Sequence, residues 1–108
     1  MKAHTLIYFS FFNYTTADFV PSELSGVKAV DIHHIDPRKK GSTELLDRIE
    51  NLIALSREEH NKYGDKKQYK AMLYRRHKEV LDALCKEYDK EWLDAQIEKY
   101  KQFEITEA

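Results

Sequence analysis

Apolar positions are distributed along this chain in three different ways. Between residues 3 and 12 they crowd together, with Leu6, Ile7, Tyr8, Phe9, Phe11 and Phe12 nearly adjacent. Such density fits a helix and a strand equally well. Thr15 to Asp18 reads as a polar connection, and Pro21-Ser22-Glu23-Leu24-Ser25-Gly26 predicts a tight turn in which Gly26 can take a positive φ. From Val27 to Ile35, Val, Ala and Ile interleave with polar residues, the pattern of a strand. Asp36-Pro37-Arg38-Lys39-Lys40-Gly41-Ser42 then reads as a polar loop. Leu52-Ile53-Ala54-Leu55 predicts a second short strand. Ser56-Arg57-Glu58-Glu59 follows it with the spacing of a capping box, so a helix should begin there, carry His60 and stop at Gly64.

Beyond Lys66 the pattern changes to a helical one that runs to about Phe103. Tyr69, Met72, Leu73, Val80, Leu84, Tyr88, Trp92, Ile97 and Tyr100 are among its apolar positions, and no Pro or Gly interrupts it. It reads as one long helix, or as two that break between Lys86 and Asp89. The whole is expected to be a single α+β domain over residues 1–108, with a core at about 18–64 and a helical extension at about 66–104.

Composition narrows the class. A chain of 108 residues buries one modest core. With 42% hydrophobic and 34% charged residues it is neither disordered nor membrane-embedded in character. No apolar run approaches the roughly 20 residues of a spanning helix, so no membrane partner is expected. Leu6 to Phe12 lacks the small-residue cleavage site of a signal peptide and is read as core. Cys85 is the only cysteine, which excludes an intrachain disulfide and a cysteine-built zinc site and suits a cytoplasmic location. It is expected to be a small buried hydrophobe. The net charge of −1 argues against nucleic acid until its distribution is considered. Residues 1–78 carry 14 Lys and Arg against 10 Asp and Glu, whereas residues 79–108 carry 4 against 9.

Candidate chemistry lies in the basic part. His33 and His34 end the first predicted strand, Asn51 begins the second, and His60 lies one turn into the helix. Packing that helix across the paired strands would gather all four. Hydrolysis of a phosphodiester needs an activated water, a cation on the phosphate and help for the leaving oxygen. Neighbouring residues of a regular strand face opposite ways. One of the two histidines can therefore face a metal while the other takes a proton from water, work that suits an imidazole at neutral pH. The Asn51 amide would hold the base ring in orientation, and His60 would supply a second ligand.

The stretches Ala29-Val30-Asp31-Ile32-His33-His34-Ile35-Asp36-Pro37 and Arg48-Ile49-Glu50-Asn51-Leu52-Ile53-Ala54-Leu55-Ser56-Arg57-Glu58-Glu59-His60 resemble the HNH endonuclease family, in particular small HNH proteins of bacteria and their phages. The family pattern is a paired Asp-His or His-His, a central Asn before Leu, and a final His nine residues later. The resemblance spans residues 18–64 and implies a ββα-metal core and a metal-dependent nuclease acting on DNA. It implies His33 and His60 as metal ligands, His34 as general base and Asn51 as the orienting residue. Mg²⁺ is the default cation, with Mn²⁺, Ni²⁺ and Zn²⁺ also suited to two His ligands. Relatives often carry two Cys-x-x-Cys pairs that hold a structural zinc. The matching places here are Ser22, Ser25, Ser56 and Glu59, so no structural zinc is expected.

Other polar residues have two readings each. Asp31 shares a strand face with His33 and is either a histidine's partner or a solvated carboxylate. Arg38, Lys39 and Lys40 are either phosphate contacts or a solvated loop. Lys66, Lys67, Lys70, Arg75, Arg76 and Lys78 put six positive charges with no acid between 66 and 78, of which a helix presents only some to DNA. His4 and His77 read as structural or surface residues, and Tyr69, Met72 and Trp92 as core. The other function classes are a non-catalytic HNH-fold binding protein, an inhibitor or packaging accessory, and an oligomerisation protein whose C-terminal helix pairs two copies into a homodimer. Loss of the zinc positions and the acidic tail favour the binding protein; the intact His-His, Asn and His set opposes it.

Overall fold

The computed structural model describes residues 1–37 and 45–104. The crowded aromatic segment is a helix, α1 (Ala3–Phe12). It ends where Asn13 turns left-handed at φ 59° and its N–H bonds the Phe9 carbonyl, a conformation Asn tolerates better than most residues. Its rings do not form one stripe, because they serve two clusters. Tyr8 packs on Leu52 and Ala54, while Phe11 and Phe12 reach the cluster that holds Ile53 and Leu55.

The first strand is shorter than its sequence pattern suggests. Only β1 (Asp31–His34) pairs with β2 (Leu52–Leu55), antiparallel, with His33 opposite Ile53 and His34 opposite Leu52. Residues 20–29 fold back on themselves instead. Ala29 N–H donates to Val20 O at 2.9 Å, Ser22 N–H to Val27 O at 2.7 Å, and Gly26 makes the turn at φ 78°. Val27 and Ala29, paired inside this small loop, do not extend the sheet, although Glu23 N–H reaches Ala54 O of β2 at 3.0 Å.

Every residue of β2 is buried. Leu52 and Ala54 face Tyr8 of α1, whereas Ile53 and Leu55 join the core under the C-terminal helices. A short strand covered on both faces reads as a continuous apolar run. After it the capping box forms as expected: Ser56 Oγ accepts from Glu59 N–H at 3.2 Å, and Glu59 Oε1 accepts from Ser56 N–H at 2.8 Å. The short helix it starts, α2 (Arg57–Glu59), widens into a π-type turn over His60–Gly64.

Two helices complete the fold, α3 (Lys70–Ala83) and α4 (Lys90–Lys101). The break falls at Cys85, left-handed at φ 56°, and α4 restarts where the Asp89 side chain caps Trp92 N–H at 3.0 Å. Cys85 lies exposed in this turn, which corrects its expected burial. Leu73, Tyr74 and Leu81 of α3 meet Leu93 and Tyr100 of α4 over Ile35, Ile53 and Leu55. The architecture is thus α+β: α1, a two-stranded sheet, and an α3–α4 layer. Among the described residues no helix is long and apolar enough to cross a membrane.

Candidate metal centre

Strand register sends the two adjacent histidines to opposite sides. His33 shares a face with Ile53 and points toward the wide turn after α2. Its ring centroid lies 4.7 Å from that of His60, and ligand atoms of His33, His60 and Asp65 all fall within 4.8 Å of one another. His60 Nδ1 sits 2.9 Å from Asp31 Oδ2, so the carboxylate fixes that nitrogen as the N–H and turns the Nε2 lone pair outward. A carboxylate behind a histidine is how metal-binding rings are oriented. Nε2 lies 3.9 Å from Asp65 Oδ2. Of the two readings of Asp31, the structure realises the partner.

Gly64 makes this approach feasible. A Cβ there would stand 2.5 Å from His60 Cδ2 and 3.3 Å from His33 Cε1. Its carbonyl also lies 2.6 Å from His33 Nε2, and a carbonyl can only accept, so the proton of the His33 ring sits on Nε2. Burial holds the His33 pKa below its ordinary value, outweighing the Gly64 carbonyl that would raise it. A ring kept neutral retains a lone pair for a cation, and two imidazoles with one carboxylate form a donor set for a divalent transition ion. The residues fit the implied metal.

His34 faces the other way. Its Nε2 bonds Asp47 Oδ1 at 2.7 Å, and its ring lies 4.3 Å from that of His4 on α1. The structure does not bring it into the His33–His60 cluster. Asp47 is the orienting residue that sequence reasoning missed. With Nε2–H held by the carboxylate, Nδ1 keeps the lone pair a base requires. Nothing in the local sequence marks Asp47, which enters from the inter-strand segment at no diagnostic spacing.

Asn51 has a different task from the one expected. Fully buried, its Oδ1 accepts from Asp36 N–H at 2.9 Å and Tyr74 OH at 2.7 Å, and its Nδ2 donates to Asp36 O and Leu46 O, both at 3.0 Å. It clamps the two ends of the inter-strand segment together and touches neither histidine ring. The expectation that it orients the base is corrected: it positions the chain that carries Asp47.

Ser22, Ser25, Ser56 and Glu59 do converge. Ser22 Oγ donates to Glu59 Oε1 at 2.5 Å. Burial alone would raise the Glu59 pKa, but hydrogen bonds from Ser22, Ser25 and Ser56 outweigh it and hold the carboxyl below its ordinary value. Hydroxyls and a carboxylate thus tie the first turn to the start of α2.

The candidate DNA contacts are scattered. Arg38, Lys39 and Lys40 lie outside the described residues. Arg75 pairs with Glu104, and Arg76 bonds Glu23 O at 2.6 Å and Glu79 at 3.1 Å. Lys70 is buried against Asp36 at 3.2 Å, which removes it from the set that could meet a phosphate. Comparison with protein-family models, with characterised proteins and with solved structures yields no match.

Proposed function

We propose that this chain is a divalent-metal-dependent endonuclease of the HNH, ββα-metal type that hydrolyses DNA phosphodiester bonds. The observation that carries the reading is the meeting of His33 from β1 with His60 from the α2 turn beside Asp65. His34 stands next in the same strand, its Nε2 held by Asp47. His33, His60 and Asp65 would hold the cation, which when bound supplies charge for the phosphate and the leaving oxygen. His34 would take the proton from the attacking water at Nδ1, and Asp47 would steady the imidazolium that forms. Asp31 keeps His60 presented, and Asn51 keeps the inter-strand segment in register. Because His33 and His34 face opposite sides of β1, the scissile phosphate would lie across the strand's end, metal side to base side.

The donor set favours Mn²⁺, Ni²⁺ or Zn²⁺ over Mg²⁺ as tight binders, while Mg²⁺ remains competent where water and phosphate complete its shell. The test is cleavage of supercoiled plasmid with Mn²⁺ or Mg²⁺. Wild type should cut, and His34→Ala should lose ~10²–10⁴-fold in rate while still binding metal. Equal cutting by the two proteins would overturn the assignment.

A further inference from the structure

We propose that His4, His34 and Asp47 form a second, separate transition-metal site on the opposite face of β1, one whose occupancy withdraws His34 from proton transfer. Ligand atoms of these three residues lie within 4.8 Å of one another. They come from three parts of the chain: His4 from the first turn of α1, His34 from β1, and Asp47 from the segment that Asn51 clamps. The His4 ring lies against that of His34, their centroids 4.3 Å apart. His34 and Asp47 side chains are 19% and 22% exposed, half-sheltered yet open to an entering ion.

The chemistry selects the ion class. Two imidazoles and a carboxylate favour Zn²⁺, Ni²⁺ or Cu²⁺ over Mg²⁺ or Ca²⁺. Bonds of about 2.0–2.2 Å to such an ion require the ligand atoms to close by on the order of an ångström, within reach of side-chain rotation. On binding, the Nε2 proton of His34 would pass to solvent while Nδ1 takes one up, and the 2.7 Å contact with Asp47 would be exchanged for two bonds to the cation. The site itself stands on these residues alone; the consequence for His34 rests on the nuclease reading.

Zn²⁺ titration of the purified, chelator-stripped full chain tests the two parts apart. Wild type should bind two ions, His4→Gln one and His33→Ala one, with Co²⁺ absorption reporting a different spectrum for the ion retained in each variant. Asp47→Asn provides the same count should His4→Gln fail to fold. A count that neither His4→Gln nor Asp47→Asn lowers from that of wild type, or no ion retained by His33→Ala, overturns the site. In Mn²⁺-driven plasmid cleavage, Zn²⁺ should inhibit wild type at least tenfold more than His4→Gln. Equal inhibition overturns the consequence for His34. Absence of cleavage under every condition would count against the nuclease reading, while the ion count would still decide the site.

Discussion

His60 and His77 are both histidines on helical turns and both hold a carboxylate through Nδ1, but they differ in what the second nitrogen has left to offer. His77 is fully buried; Nδ1 lies 2.7 Å from Glu23 Oε1 and Nε2 lies 2.6 Å from Ile49 O. Both partners can only accept, so the ring is an imidazolium with nothing left to offer. Glu23 in turn accepts from Tyr8 OH at 2.7 Å, tying α1 to α3. His60 spends only Nδ1, on Asp31, and its side chain is 28% exposed. Residue type does not separate the two; the number of unspent nitrogens does. The same contrast separates the Asp36 network, where Lys70, Gln96 and Tyr100 saturate the carboxylate, from the open His33–His60–Asp65 group.

The sharpest way to break the contrast is to remove each ring in turn. His60→Ala should abolish metal-dependent cleavage, a loss of several orders of magnitude, and leave the urea midpoint nearly unchanged. His77→Ala should instead cost ~3–5 kcal/mol of stability, because it strands the Glu23 carboxylate in the core. Metal affinity of the folded His77→Ala protein should be retained. Chemical denaturation and metal titration on both variants check this, and an interchange of the two phenotypes would refute the distinction.

Protons probe the same contrast without mutation. Burial alone would lower the His77 pKa, but Glu23 outweighs it and the folded value lies above the ordinary 6.5. A raised histidine contributes stability that is complete below about 6.5 and is lost as pH rises through the folded value. Burial would raise Asp36, but Tyr100, Lys70 and Gln96 hold it below the ordinary 3.8. That contribution is present above about 3.8 and is lost as pH falls through the lower folded value. These two groups together should therefore contribute most between about pH 3.8 and 6.5 and less on both sides. Replacing Glu23 by Gln should flatten the alkaline limb, and urea midpoints measured across pH test it.

A gentler probe is Gly64→Ala. The added methyl would stand 2.5 Å from His60 Cδ2, so the ring must move. Metal affinity should fall by ~10–100-fold, the usual scale for disturbing how a ligand is presented. Stability should change by no more than about 1 kcal/mol. Paired calorimetric and thermal measurements decide, and unchanged affinity would mean that the His33–His60 approach is not what holds the cation.

The smallest effect concerns chelation. Ser22, Ser25, Ser56 and Glu59 join the first turn to α2 by hydrogen bonds alone. A cap of this kind contributes ~1 kcal/mol, against about 10–16 kcal/mol of apparent binding energy for a structural zinc. EDTA should leave the circular dichroism spectrum intact and shift the melting temperature little, while cleavage stops and returns with Mn²⁺. Stoichiometric zinc surviving EDTA, or cooperative unfolding on chelation, would show that hydroxyls are not the whole of this joint.

Local rules carried much of this molecule. The capping box at Ser56 and Glu59, the turn at Gly26, the buried run of β2 and the opposed faces of His33 and His34 all follow from spacing, propensity and strand alternation, which act within a few residues. Tertiary contacts decided the rest. The density of apolar residues in α1 left helix and strand equally open, and two separate clusters on β2 and α3–α4 settled it. Val27 to Ala29 left the sheet because they pair with residues 20–22 instead, Ala29 N–H bonding Val20 O and Val27 O accepting from Ser22 N–H. Asn51 and Lys70 look like chemistry and solvent contact in sequence, yet both are spent inside the fold by partners 15 and 34 residues away. Asp47 could not be read at all, since only the closing of the inter-strand segment brings its carboxylate to His34. Sequence determines which groups can donate, accept or bind; how many of their hydrogen bonds are already used is a property of the packed structure alone.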